Sequence, residues 1–261
     1  MNLSLDGKTA VVCGSTQGIG LAIAEELALL GANCILLARN ENALKDAINT
    51  LDTSNRQLHS YAVADFSDPT QVKAVITQIA EQHTVHILIN NTGGPPAGPI
   101  IDAVPEQFLI TFNQHLICNH LLTQALVPGM RSAGYGRIIN IISTSVKIPL
   151  KNLGVSNTIR GAVASWAKTM SLELGKYNIT VNNILPGFTR TQRLTAIVSS
   201  NAARRNTNEE AMEKEMQKEV PMQRFGEPSE VANVAAFLAS PAASYVNGVS
   251  IPVDGGRTGS I

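Results

Sequence analysis

The chain has 261 residues, of which 20 are basic, 20 are acidic and 44% are apolar. This length suits one large α/β domain or two small ones, with a sizeable core. The neutral charge balance gives no electrostatic reason to expect nucleic acid or an anionic membrane as a partner. No apolar run approaches the roughly 20 residues that span a bilayer, and the N-terminus lacks a signal-peptide pattern. We therefore expect a soluble, cytoplasmic protein.

Short apolar runs alternate with amphipathic segments along the chain. Seven runs are typical of strands: 9–13, 33–38, 58–63, 85–90, 137–143, 179–185 and 248–253. The first amphipathic segment repeats apolar residues at steps of three and four and ends at Gly31. Another begins with Asp68 as a cap and Pro69 at the first helical position. This alternation predicts a parallel sheet covered by helices on both faces.

A glycine-rich segment, VVCGSTQGIGLAIAEEL, connects the first strand to the first helix. Gly14, Gly18 and Gly20 are spaced as a variant of the dinucleotide-binding fingerprint. Glycine permits a tight turn and a close approach of the backbone to pyrophosphate, and the helix N-terminus offers free N–H groups. The segment favours a dinucleotide site. The alternative is a glycine-rich turn without a ligand.

The tip of the second strand distinguishes between the two nicotinamide cofactors. An acidic residue there would bind the ribose 2′-hydroxyl of NAD, but the sequence has Ala38 and Arg39. A guanidinium can bind a 2′-phosphate through charge-assisted hydrogen bonds. The sequence therefore favours NADP(H), and the alternative is a solvated arginine.

The three cysteines, Cys13, Cys34 and Cys118, have no spacing typical of a disulfide or a metal site. Cys13 and Cys34 lie in apolar runs that resemble strands, so we expect both to pack in the core. No metal site is predicted.

The segment 199–219 is charged and poor in apolar residues. It lies in a region of about 192–220 that we interpret as an insertion after the sixth strand. A largely solvated helix is predicted from about Asn208 to Glu219. Two interpretations stay open, a simple exposed helix and a lid over a site.

Further motifs carry a resemblance to a known family. They are NNTG (90–93), PGFTRT (186–191), FGEPSEVANVAAFLAS (225–240) and VNGVSIPVDGG. With them, the chain resembles the short-chain dehydrogenase/reductase family over nearly its whole length, in particular its 3-oxoacyl-acyl carrier protein reductase branch. The resemblance implies one Rossmann-type α/β domain (1–261) with a doubly wound parallel sheet of about seven strands. It also implies an NADP(H)-dependent oxidoreductase acting on CH–OH or C=O groups, as a homotetramer or homodimer.

The resemblance assigns a set of residues to the cofactor. They are Gly14, Ser15, Gly18, Ile19, Gly20, Arg39, Asp65, Asn91, Gly93, Arg160, Pro186, Gly187, Thr189 and Thr191. Asp65 would contact the adenine, and Asn91 would lie along the cofactor. The alternatives are a turn residue for Asp65 and a loop-capping amide for Asn91.

The family's catalytic set of Asn, Ser, Tyr and Lys is largely replaced. Ser143 occupies the position of the carbonyl-binding serine, Ser156 and Arg160 those of the tyrosine and lysine, and His115 that of the asparagine. A shifted Tyr-x-x-x-Lys is excluded, because no tyrosine has a lysine four residues later: Tyr61, Tyr135, Tyr177 and Tyr245.

These replacements should affect proton transfer more than cofactor placement. Arg160 lies four residues after Ser156, on the same helix face, and can bind ribose hydroxyls but cannot relay a proton. Ser156 keeps a hydroxyl that is shorter and less acidic than a phenol. His115 is a substitute proton source or a structural histidine. Lys147 and Lys151 are substitutes too, or solvated loop residues.

Two hypotheses about function follow. The first is an NADP(H)-dependent reductase of small carbonyl or acyl substrates, 3-oxoacyl thioesters among them, with an atypical active site. Loss of a general acid costs roughly 10²–10⁴ in rate, whereas positioning contributes roughly 7–11 kcal/mol, so slow turnover can survive. The second is a non-catalytic NADP(H)-binding sensor or assembly protein on the same fold.

Overall fold

A seven-stranded sheet forms the centre of the computed structural model, which describes residues 1–260. Its strands are β1 (Thr9–Cys13), β2 (Asn33–Ala38), β3 (Ser60–Val63), β4 (Ile87–Asn90), β5 (Gly136–Ile141), β6 (Ile179–Pro186) and β7 (Ser250–Val253). They are all parallel and lie in the order β3-β2-β1-β4-β5-β6-β7. The predicted doubly wound parallel sheet is confirmed.

Helices cover both faces of the sheet. They are α1 (Gly18–Leu29), α2 (Glu41–Ile48), α3 (Pro69–Gln82), α4 (Pro105–Phe112), α5 (Cys118–Ala133), α6 (Gly154–Leu174), α7 (Gln192–Arg204), α8 (Glu209–Lys218) and α9 (Pro228–Ala239). Helices α1, α2 and α9 bury apolar residues on one face, and α3, α5 and α6 on the other. In the described part of the chain, none of these helices combines the length and apolarity needed to cross a membrane.

The alternation of side chains along each strand serves both layers. In β1, Ala10 and Val12 pack under α1, whereas Val11 and Cys13 pack on the opposite side. Both faces of the parallel strands are therefore buried, which explains their continuous apolar runs. Cys13 and Cys34 are fully buried, as predicted.

Three strands begin two residues later than their sequence patterns predict. The runs 58–63, 85–90 and 248–253 form strands only from Ser60, Ile87 and Ser250, and the run 137–143 ends early, at Ile141. In the first two cases a histidine side chain takes the place of a backbone acceptor. The Nδ1 of His59 accepts from the Cys34 N–H at 3.1 Å, and the Nδ1 of His86 accepts from the Thr9 N–H at 3.1 Å.

Capping residues define the helix ends as the sequence predicts. Asp68 accepts from the N–H groups of Thr70 and Gln71 at the start of α3. Gly31 follows α1 with a φ of +102°, a conformation that favours glycine. The amide of Asn208 accepts from the Ala211 N–H, so α8 begins where the sequence predicts.

Candidate active site

The candidate site lies at the carboxyl ends of β1 and β4, where the strand order reverses. Gly14 follows β1, and Asn91 follows its neighbour β4. Connections leave these two strands toward opposite faces of the sheet, so a crevice opens between them. Ligands of open α/β sheets bind in this crevice. The topology therefore places the glycine-rich segment at the expected position.

The glycine turn is packed too closely for side chains. Gly14 has a φ of +58°, and a Cβ added to Gly20 would lie 2.1 Å from the Gly14 carbonyl oxygen. The Asn91 amide donates to the carbonyls of Cys13 and Gly14, each at 3.2 Å. Asn91 thus stabilises the glycine turn through these two hydrogen bonds, which is the role of a loop-capping amide.

The turn also presents unused hydrogen-bonding groups. The hydroxyl of Ser15 is buried and has no partner among the described residues. No side chain caps the N-terminus of α1, so its first N–H groups are available to an anion. A diphosphate would satisfy both features. Ile19 lies in the first turn of α1, and Gly93 lies three residues beyond β4. The residues present at the glycine turn fit a dinucleotide.

Arg39 stands at the end of β2 with its guanidinium free. It is exposed and forms no ion pair or side-chain hydrogen bond within residues 1–260. Asp65 lies nearby, and its carboxylate accepts from the Ser67 N–H at 2.9 Å. This hydrogen bond, with a smaller effect from the charge of Arg39, lowers the pKa of Asp65. Asp65 thus has the hydrogen bonding of a turn residue, and Arg39 presents an exposed guanidinium at the tip of β2.

The PGFTRT segment forms the opposite wall. Pro186 ends β6, and Gly187, Thr189 and Thr191 follow it. Thr191 caps α7, and its methyl group lies against Gly18, 3.1 Å from the position of an added Cβ. Two motifs about 170 residues apart in sequence therefore enclose one groove.

The residues that replace the catalytic set meet at the end of β5. Ser143 lies two residues beyond the strand, and its hydroxyl accepts from the Ser145 N–H at 3.1 Å. The Nε of Arg160 donates to the Ser156 hydroxyl at 3.2 Å. The Nη1 of Arg160 donates to the carbonyls of Ile141 and Ile142, at 3.1 and 2.9 Å. Arg160 thereby connects α6 to the strand that carries Ser143.

The Arg160 guanidinium is a buried charge that pairs with no carboxylate within residues 1–260. Burial, followed by the charge of Arg193, lowers the pKa of Arg160 to about 10, so it remains positive at neutral pH. Arg193 was not predicted as a site residue. Its Nη1 and Nη2 donate to the carbonyls of Gly94 and Pro95, at 2.9 and 3.2 Å. Its one sequence signal is its place two residues after the end of the PGFTRT motif.

His115 is a buried neutral imidazole. It lies in a π-helical turn, Asn113–Ile117, between α4 and α5, and such turns occur frequently at functional sites. Its Nδ1 bonds to the Thr92 hydroxyl at 2.6 Å, and its Nε2 is buried and meets no partner in the described part of the chain. Burial, followed by the charge of Arg160, lowers the pKa of His115 to about 3. An imidazole that is neutral at pH 7 is a poor general acid, so the geometry favours the structural alternative.

The depressed pKa of His115 makes stability depend on pH. Between pH 6.5 and 3 the unfolded chain binds a proton that folded His115 does not, so acid should destabilise the fold. The loss is about 1.4 kcal/mol per pH unit below 6.5, or about 2 kcal/mol at pH 5. Urea unfolding at pH 7.5 and 5 should show this loss. In His115→Asn the loss of stability between pH 7.5 and 5 should be smaller by about 2 kcal/mol. An equal loss in both proteins would contradict the low pKa of His115.

A ladder of amides holds the strand ends that carry the site. Asn90 of β4 donates to Asn140 of β5 at 2.8 Å, and Asn140 donates to Asn183 of β6 at 2.9 Å. Asn183 in turn donates to the Ser250 hydroxyl of β7 at 3.1 Å. Asparagines in these largely apolar strands were the available sequence signal. Within the described residues the Asn90 Oδ1 has no partner, and the bonds that are made connect and rigidify the four strand ends.

A cavity of about 800 Å³ lies between the loop after β4 and helices α7 and α8. Its walls are the loop 94–98, the segment 150–153, α7 and α8. Lys151 lies on this wall, whereas Lys147 is exposed outside it. Neither lysine forms a hydrogen bond or ion pair within residues 1–260, so the structure assigns no proton transfer to either.

Helix α8 is more firmly attached than its composition suggests. Met212 and Met216, four residues apart on one face, are buried against Leu194, Val198 and Phe225. Most of the other α8 residues are exposed. This small cluster is separate from the two cores of the sheet. Helices α7 and α8 therefore form one unit that covers the cavity.

Comparisons with known proteins agree with this geometry. The family model described as "Enoyl-(Acyl carrier protein) reductase" matches residues 14–258. A chloroplastic tropinone reductase homolog of Arabidopsis thaliana is 33% identical over 257 residues, which are 98% of this chain and 77% of that protein. The chain belongs to the short-chain dehydrogenase/reductase family.

Solved structures of this short-chain dehydrogenase/reductase family share the whole fold. The L-sorbose reductase from Gluconobacter frateurii, complexed with NADPH and L-sorbose, is 32% identical with a TM-score of 0.93, covering 100% of both chains. A gluconate 5-dehydrogenase from Burkholderia cenocepacia, in complex with NADP and tartrate, is 29% identical with a TM-score of 0.87, covering 100% of this chain and 98% of its own. The chain thus has the fold and family of NAD(P)-dependent oxidoreductases of carbonyl and alcohol groups.

Proposed function

We propose that this chain is an NADPH-dependent carbonyl reductase whose site uses Ser143, Ser156 and Arg160. The observation that carries the proposal is the position of the Arg160 guanidinium. It is bonded to Ser156 and to the end of β5 next to Ser143, beside a groove that fits a dinucleotide. The NADPH-bound sorbose reductase supports the cofactor assignment.

The cofactor-binding residues have distinct tasks in this proposal. The glycine turn, with Ser15 and the N-terminus of α1, binds the diphosphate. Arg39 binds the 2′-phosphate, and Thr189 and Thr191 close the groove from the other side. Bound NADPH would supply the hydride.

The remaining residues polarise the substrate. The hydroxyls of Ser143 and Ser156 donate hydrogen bonds to the carbonyl oxygen. Because Ser156 already accepts from the Nε of Arg160, its own proton is free for the substrate. The uncompensated charge of Arg160 stabilises the negative charge that develops on that oxygen. The oxygen that accepts the negative charge takes its proton from the Ser156 hydroxyl, which then recovers a proton from solvent, since neutral His115 is not an acid.

A non-catalytic NADP(H)-binding protein is the second candidate. One observation favours it, because the described site contains no group with a pKa near neutrality that could act as a general acid. Arg160 and His115 both fail this requirement, with pKa values of about 10 and about 3. On this alternative the protein would bind NADPH tightly without turnover.

NADPH consumption separates the two candidates. The assay follows the nicotinamide absorbance over a panel of ketones, keto sugars, 3-oxoacyl thioesters and quinones. Turnover on any of them above the buffer rate supports the reductase, and activity on 3-oxoacyl thioesters would place it in that branch. Tight NADPH binding with no turnover on the entire panel would contradict it and support the sensor.

Replacing Arg39 should reduce the preference for NADPH. Loss of a charge-assisted hydrogen bond costs roughly 1.5–3 kcal/mol, so Arg39→Ala should weaken NADPH at least about tenfold and spare NADH. Calorimetry with both cofactors measures this. Lys45→Ala is the control, because it removes a different exposed cation, on the neighbouring helix α2. Equal affinity of the native protein for NADPH and NADH would contradict the assignment of Arg39 to the 2′-phosphate.

We also propose that α7 and α8 act as a lid. Their own small cluster, separate from the sheet, allows them to open without disturbing the core. Hydrogen exchange in residues 192–218 should be faster than in the β strands, and should slow when NADPH and a substrate bind. Strong protection of these helices in the free protein would show a fixed structural element instead.

A homotetramer or homodimer is part of the proposal. Apolar side chains on and before α4 are left exposed, including Ile101 and Leu109 at 89% and 64%. Covering such a patch with a second copy would remove it from water. Sedimentation of the purified chain tests this, and a monomer at micromolar concentration would contradict it.

A further inference from the structure

The cavity under α7 and α8 has an excess of positive charge. Each of its two glutamates is already paired with an arginine, Glu219 with Arg257 and Glu215 with Arg205. Within the described residues, three more cations on its walls meet no carboxylate: Lys151, Arg193 and Arg204. Five cations against two carboxylates leave three positive charges in the cavity.

Arg193 is the cation held in a defined position. Two of its nitrogens are fixed on the carbonyls of Gly94 and Pro95. Its guanidinium lies directly on Gly94, where an added Cβ would come within 2.7 Å of the Arg193 Cζ. Part of the side chain is exposed, yet contact with this loop reduces its hydration and lowers its pKa. The remaining N–H donors are available to a ligand.

A guanidinium fixed in this way matches one ligand chemistry. A guanidinium that is fixed in place without a counter-ion attracts an anion, and a carboxylate or phosphate would bind it through paired charge-assisted hydrogen bonds. A neutral hydroxyl would form weaker bonds and leave the charge uncompensated. We propose that the substrate carries an anionic group, a carboxylate or a phosphate, which Arg193 binds in this cavity.

The position of Arg193 also relates the anion site to the carbonyl site. Arg193 bonds to Gly94 and Pro95, in the same loop whose Thr92 hydroxyl bonds to His115. The anionic group and the reacting carbonyl therefore belong to one molecule. This inference rests on the proposed reductase function for the carbonyl end, whereas the anion site itself does not depend on turnover.

Binding measurements with matched neutral and anionic probes test the proposal. The protein is saturated with NADP⁺ and titrated calorimetrically with two pairs. The first is 4-phenyl-2-oxobutanoate and its ethyl ester, and the second is dihydroxyacetone phosphate and dihydroxyacetone. In at least one pair the anion should bind about tenfold or more tightly, and the pair that shows the difference distinguishes carboxylate from phosphate. Added salt should weaken the binding of the anionic probe and leave the binding of its neutral partner unchanged.

Two substitutions locate the effect at Arg193. Arg193→Gln should reduce the preference for the anion at least about tenfold, and Arg193→Lys should retain part of it. Lys73→Gln, a remote exposed cation on α3, is the control and should change nothing. NADPH affinity should be the same in all four proteins. The comparison of probes and salt in the native protein remains decisive if a variant does not fold.

Each result has a defined meaning. Equal binding of anion and neutral partner in both pairs, or an unchanged preference in Arg193→Gln, would overturn the proposal. A loss of NADPH affinity in Arg193→Gln would also overturn it, by assigning Arg193 to the cofactor's phosphates. An anion preference that depends on Arg193, without turnover, supports this site and contradicts the reductase. Turnover without any preference for the anionic probe supports the reductase and contradicts the anion site.

Discussion

Exchanging Ser156→Tyr together with Arg160→Lys should raise ketone reduction by about 10²-fold or more over the native protein. A positioned general acid contributes roughly 10²–10⁴ in rate, and the pair supplies a phenol with an amine that can relay its proton. The two positions are in contact, because the Nε of Arg160 bonds to the Ser156 hydroxyl. Ser156 is buried, so the new ring must occupy part of the groove. Steady-state kcat and NADPH affinity are the measurements.

The single variants are the controls for this exchange. Ser156→Tyr alone has a phenol beside a guanidinium that cannot relay, and Arg160→Lys alone has no phenol to activate. We therefore expect a non-additive gain, as for groups that act as a unit. A double variant that binds NADPH normally but reacts more slowly than the native protein would show that the native site has its own proton route. His115→Asn is then the next variant, because its charge environment includes Arg160.

Adding a methyl group at Gly20 should reduce NADPH affinity by about 10- to 100-fold. The new Cβ would lie 2.1 Å from the Gly14 carbonyl oxygen and 2.6 Å from the Asn91 amide nitrogen. Overpacking against backbone typically costs about 1–3 kcal/mol, and here the turn itself must move away from its anion-binding geometry. Calorimetry on Gly20→Ala measures the loss.

Gly129→Ala is a matched control for Gly20→Ala. Both glycines lie within helices, α5 and α1, but nothing lies within 4 Å of a Cβ added at Gly129. This control should bind NADPH normally and be as stable as the native protein or slightly more so. If Gly20→Ala binds NADPH as well as the native protein does, the cofactor does not bind on the glycine turn.

The sequence by itself determined the fold class, and it predicted a cofactor groove at the first glycine turn. The alternation of apolar runs with amphipathic segments is a local signal, and the seven parallel strands follow from it. The glycine spacing and the tip of β2 are equally local, since both lie within a few residues of a strand end. The strand boundaries at 58 and 85 were wrong by two residues, because His59 and His86 replace backbone acceptors across the sheet.

The charge state and partners of the site residues were decided only by the tertiary structure. Sequence counting placed His115, Ser156 and Arg160, but not the burial that keeps His115 neutral or the carbonyls that hold Arg160. Arg193 reaches Gly94, about 100 residues away in sequence, so no local pattern indicates the contact. Burial and long-range contacts arise when the chain packs, and a pKa depends on both. The sequence therefore shows which groups the site contains, and the packed fold decides what each can do.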